Sequence, residues 1–139
     1  MKIYAVIDTN VLVSTMVTHN KNAATVRVIR AILEEKIIPL FNYEILAEYD
    51  EVLHRPKFNL RETDIKKIIS DIIIRGEKAE RVLSQEEIID PKDVAFYEVA
   101  LSKEDAYLVT GNLKHFPKKP IVVTPAEMLQ ILDDNGLLE

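Results

Sequence analysis

Short apolar runs that alternate with amphipathic stretches set the narrowest limits on how this chain can fold. Ile3–Ile7 and Ile37–Phe41 are continuous apolar runs, the pattern of strands buried on both faces, and Ala106–Thr110 and Pro120–Val123 read as two more strands. Between them the spacing turns helical. Ala23–Glu35 carries Val26, Ile29, Ile32 and Leu33, and Asn42 is placed to cap a helix over Tyr43–His54 that ends near Arg55-Pro56. Asn59 with Glu62 reads as a variant capping box for Arg61–Arg75, with Gly76 at that helix's C-terminus. Val82-Leu83 predicts a short strand. Asp90-Pro91 opens a helix to about Ser102, and "TPAE", Thr124 to Glu127, joins a capping box to a first-turn Pro ahead of a helix to about Asp134.

Strands separated by helices imply right-handed crossovers and a mainly parallel sheet in an α/β sandwich. The 139 residues are one domain's length, and no linker, repeat or low-complexity tract divides them, so a single domain over 1–139 is expected. The absence of Cys excludes disulfides, Cys-based zinc sites and thiol nucleophiles, and suits a reducing cytoplasm, where the protein is expected. One Lys and a five-residue apolar run before Asp8 fall short of a signal peptide, and no run nears the ~18 apolar residues of a membrane span. No membrane partner is expected. The net charge of −5 does not advertise a nucleic-acid binder, though local patches decide that question. With aromatics at 6% and no Trp, broad base-stacking platforms are not expected.

Several chemistries drop out. Gly76, Gly111 and Gly136 are too scattered for a phosphate-cradling loop, and no G-x-S-x-G elbow occurs. His19, His54 and His115 lack metal-site spacing. What remains is acidic. Asp8 interrupts two apolar runs at the C-terminal end of the first strand, the edge where such sheets bind ligands, and a buried unpaired carboxylate there is costly. It serves either a site or a cap for a helix starting near Asn10, while for Asn10 itself the cap reading is favoured. Glu48 and Asp50 flank opposite edges of the stripe Ile45, Leu46, Tyr49, Val52 and Leu53, and periodicity does not separate them; Glu51 faces solvent. Asp90 and Asp93 suit a helix N-terminus, a geometry that also lets Asp93 point at a cation near the sheet edge. Asp105 precedes a strand and lies at the wrong edge. "KHFPKK", Lys114 to Lys119, is the densest basic patch and closely follows Asn112, beside the candidate site.

"VIDTNVLVS", "EILAEYDEVL", "DPKDVAFYEVAL" and "AYLVTGN", followed by "IVVTPAEML", resemble a PIN domain in order and across nearly the whole chain. The branch they resemble is that of toxin components of toxin–antitoxin pairs, related to VapC-type ribonucleases. The resemblance implies a three-layer α/β/α sandwich with a mainly parallel central sheet, and an endoribonuclease dependent on Mg²⁺ or Mn²⁺, which hard oxygen ligands suit. It implies that Asp8, Glu48 and Asp93 are the catalytic and metal-binding acids, which resolves the tie with Asp50. The fourth acid position is Asn112, an amide that coordinates without charge, so attenuated or one-metal chemistry is expected. Asn10 and Thr110 match polar positions near the centre and, with Lys114 and His115, are the expected substrate-binding residues. Family habit adds a small antitoxin partner and a homodimer. A catalytically attenuated module that binds RNA or a protein is the alternative. A phosphoacceptor receiver domain fits less well, lacking an acidic pair after the first strand and an acceptor Asp after a middle one.

Overall fold

A computed structural model describes residues 1–138. In chain order the elements are β1 (Ile3–Ile7), α1 (Thr9–Val17), α2 (Ala24–Leu33), β2 (Ile37–Phe41), α3 (Tyr43–Leu53), α4 (Glu62–Arg75), β3 (Glu77–Lys78), α5 (Pro91–Leu101), β4 (Tyr107–Val109), β5 (Val122–Val123) and α6 (Pro125–Asp134). Two 3₁₀ turns, Pro56–Phe58 and Leu113–His115, lie between them. The five strands form one parallel sheet in the order β3-β2-β1-β4-β5. Ala5 at its centre sits opposite Pro39 on one side and Tyr107 on the other.

All five residues of β2 are buried, so both faces of the sheet are covered by helices, as the unbroken apolar runs require. Helices α2 and α4 pack against β2, and α5 lies across β1, β2 and β4. Leu12, Ile32, Ile45, Tyr49, Phe96 and Leu108 are fully buried between the layers, with the Tyr49 and Phe96 rings tilted at 58°. The α/β/α sandwich with a parallel central sheet matches the expectation from sequence. Among the described residues, no helix is long and apolar enough to cross a membrane.

Helix ends follow local chemistry. Asn42 accepts from the Ile45 amide at 2.9 Å, Asp90 from Lys92 at 3.0 Å, and Thr124 with Glu127 closes a reciprocal capping box. Two expectations need correction. Asn59 and Glu62 form no capping box: Asn59 closes the Pro56–Phe58 turn in the left-handed region at φ 48°, and Arg61 precedes α4 without a side-chain cap. Glu62 bonds His54 instead. Val82-Leu83 is not a strand. The free edge of β2 is taken by Glu77–Lys78, paired with Leu40 and Phe41 directly after α4 ends at Gly76. A Cβ at Gly76 would stand far inside contact distance of the Pro39 and Ile72 carbonyls, so only glycine permits that tight exit.

Candidate active site

The chain leaves β1 for β2 on one side and returns to β4 on the other, so a crevice opens between the carboxyl ends of β1 and β4. Asp8 follows β1 and Thr110 follows β4. Asp8 caps α1 and also lines a cleft at this edge, so its two readings are compatible. Its Oδ1 accepts from the Thr9 amide at 2.8 Å, starting α1, while Oδ2 accepts from the Thr110 hydroxyl at 2.7 Å and from the Asn10 amide nitrogen at 3.1 Å. A carboxylate has roughly four acceptor positions, so about one stays free. The Asp8 amide donates to Val109 at 2.9 Å, and the buried Tyr49 hydroxyl donates to the Ile7 carbonyl just before it. Asp8 is thereby held from β4, α1 and α3 at once.

A cleft of about 380 Å³ opens over Asp8, lined also by Thr9, Asn10, Glu48, Asp93 and His115. Glu48 comes from α3. Asp50 lies on the exposed side of that helix beside His54, and Glu51 is exposed at 3.7 Å from Arg55 and 3.8 Å from Lys92. Asp93 enters from the first turn of α5, which Asp90 caps. Burial raises the pKa of Asp8 against the opposing hydrogen bonds from Thr110 and Thr9. Burial also raises Glu48. Asp93 is pushed up to about 6, by burial first and then by the charges of Asp8 and Asp90.

Two buried side-chain oxygens among the described residues have no hydrogen-bond partner, Thr9 Oγ1 and Asp93 Oδ2, and both belong to this cleft. Buried polar atoms are nearly always satisfied, so a pair of orphans in one place marks an arrangement completed by something else. His115 Nδ1 stands 3.4 Å from Asp93 Oδ2, within ion-pair reach but without hydrogen-bond geometry.

The remaining expected residues divide. Thr110 is fully buried behind Asp8, donating to it and accepting from the Asn112 amide at 3.0 Å, so it orients the carboxylate rather than meeting a substrate. Asn10 gives its nitrogen to Asp8 and accepts the Gly111 amide at 3.0 Å. Asn112, expected as fourth ligand, does not line the cleft. Its side-chain nitrogen lies 2.8 Å from His115 Nε2. Lys114 faces a separate cavity with Leu113, Phe116 and Lys118.

Among the described residues, no three His, Asp or Glu side chains stand close enough to cage a metal ion. The donor set still fits a hard divalent cation. Mg²⁺ commonly takes one or two carboxylates and completes its shell with water and phosphate oxygens. The free position on Asp8, the orphaned Asp93 oxygen and their mutual repulsion are what such an ion would resolve.

Sequence reasoning passed over three residues here. Tyr49 looked like stripe alone, yet its hydroxyl anchors the residue before Asp8. Arg55 and Phe58 also line the cleft. Arg55 follows Glu48 by seven residues, a same-face spacing that signals it; Phe58 left no periodic trace because it sits in a 3₁₀ turn. A family model described as PIN domain matches residues 4–114, most of the chain, and no curated protein matches it. The chain belongs to the PIN domain family, a nuclease fold whose members typically use divalent metals.

Proposed function

We propose that this PIN domain is an Mg²⁺- or Mn²⁺-dependent endoribonuclease and the toxin of a toxin–antitoxin pair. One observation carries the nuclease reading: both orphaned buried oxygens belong to residues of the one cleft that Asp8, Glu48 and Asp93 line. Asp8 and Asp93 would hold the cation. When bound, that ion polarises the scissile phosphate and lowers the pKa of water. Asn10 and Thr110 fix the Asp8 carboxylate, an outer-shell role whose loss typically costs ~10–100-fold in metal affinity or activity. Glu48, its pKa raised by burial, is placed to accept a proton from the attacking water. His115 backs Asp93 from the β4 side. The leaving ester oxygen takes its proton from solvent in the open cleft.

The toxin role rests on the order of the five sequence motifs, which also supports a small antitoxin, a homodimer and a cytoplasmic setting. Co-purification with the product of a neighbouring reading frame tests the pairing. A second reading, an attenuated RNA- or protein-binding module, draws on Asn112, whose uncharged side chain is turned onto His115. Incubation of end-labelled single-stranded RNA with Mn²⁺ decides between them. The nuclease reading expects cutting by the wild type, none in EDTA and none by Asp8→Asn. Equal cutting by both proteins would overturn it. No cutting by folded wild type, restored in Asn112→Asp, would select the attenuated module.

A further inference from the structure

We infer that the far end of the cleft, built by Phe58, Val52 and Arg55, is a subsite for a nucleotide flanking the cut, with its base packed on the Phe58 ring. This rests on the ribonuclease reading above and adds where the strand runs. Glu48, Val52 and Arg55 succeed one another at four and then three residues along α3 and just past its end, all lining the cleft. At 1.5 Å per residue they lead about 10 Å away from the carboxylates, the reach of the next nucleotide or two of a single strand. The 3₁₀ turn Pro56–Phe58 then sets a half-buried aromatic ring into the wall where the path ends. Val13, from α1, adds apolar lining.

The charge at that end suits a phosphate. Arg55 and Lys92 lie 3.7 and 3.8 Å from the carboxylate of Glu51, and the charges of both also act on Glu48, so two cations face two carboxylates. Lys57 stands 5.1 Å from the Phe58 ring centroid, and among the described residues no carboxylate lies within ion-pair distance of it. One cation without a carboxylate partner beside an aromatic ring, at the end of a path that starts from an acidic centre, matches one backbone phosphate followed by one base. Stacking on a ring is tolerant of sequence because every base has a π-face, so the subsite would orient RNA without choosing a sequence.

The test uses oligoribonucleotides cut by the wild type in Mn²⁺, with each base near the cut removed in turn to leave an abasic sugar. Removal at one flanking position is expected to slow wild-type cleavage by about fivefold or more. In Phe58→Leu, which keeps apolar bulk but loses the ring, the intact substrate is slowed about as much and the abasic penalty at that position disappears. Phe58→Trp restores both. A penalty that survives unchanged in Phe58→Leu overturns the subsite and leaves the nuclease reading standing. Failure of the wild type to cut any RNA overturns both.

Discussion

The hydroxyl of Tyr49 ties α3 to the last carbonyl of β1, one residue before Asp8. Tyr49→Phe removes that donor from a buried carbonyl and is expected to cost about 1–2 kcal/mol, read by denaturant unfolding. Cleavage should fall too, since Asp8 loses one of its supports. Asp93 gives a prediction of opposite sign. Its pKa of about 6 exceeds the ordinary 3.8, so between about pH 4 and 6 the folded protein keeps a proton that the unfolded chain has released. Stability of the metal-free protein therefore falls as pH rises through that window. Asp93→Asn removes this slope and raises neutral-pH stability by roughly 1 kcal/mol in EDTA, while abolishing cleavage. Earlier melting of the variant than of wild type at pH 7 would count against a strained carboxylate pair.

Among the elements, α5 supports the site from one end and the irregular chain after β3 from its middle. Glu98, buried on α5, bonds Arg81 at 2.7 Å and the Ser84 amide at 2.7 Å, and Arg81 reaches on to Glu44 at 2.8 Å. Glu98→Ala breaks this staple, with an expected cost of about 2 kcal/mol, less than for a fully buried pair because Arg81 is partly exposed. Limited trypsin digestion should then cut at Arg81 well before wild type does; unchanged protection would show the segment is held by other contacts. Gly76→Ala is expected to cost more than 2 kcal/mol, because its Cβ meets backbone that cannot swing away. These devices differ in how far sequence discloses them. The caps at Asn42, Asp90 and Thr124 and strands β1 and β2 were legible because each rests on neighbours in the chain. Arg81–Glu98 spans seventeen residues and β3 is two exposed residues long, so neither leaves a periodic signal. The apolar pair Val82-Leu83 misled because its exposure is decided by that staple.

For the whole molecule, the strand order accounts for the acidic centre: it brings residues 8 and 110, far apart in sequence, into hydrogen-bond contact across the switch between β1 and β4. The edge positions of Asp8 and Asp93 were legible from a strand end and a helix start, whereas their expected roles, like the choice of Glu48 over Asp50, came from the family motif. The turn of Asn112 onto His115 was not legible, because it depends on the 3₁₀ conformation of Leu113–His115. The net charge of −5 then has a local meaning, since Asp8, Glu48, Asp90 and Asp93 line one cleft, and under the proposed metal dependence a bound cation would offset their repulsion of a phosphate. Saturating Mn²⁺ at about 100 times its Kd should stabilise the fold by roughly 2.7 kcal/mol, seen as a higher melting temperature. The most direct test of the cation-holding cleft is calorimetric titration of Mn²⁺ into wild type and Asp93→Asn at neutral pH. Saturable binding by wild type, weakened at least about tenfold in the variant, is the predicted result. Equal affinities, or no binding by folded wild type, would contradict it.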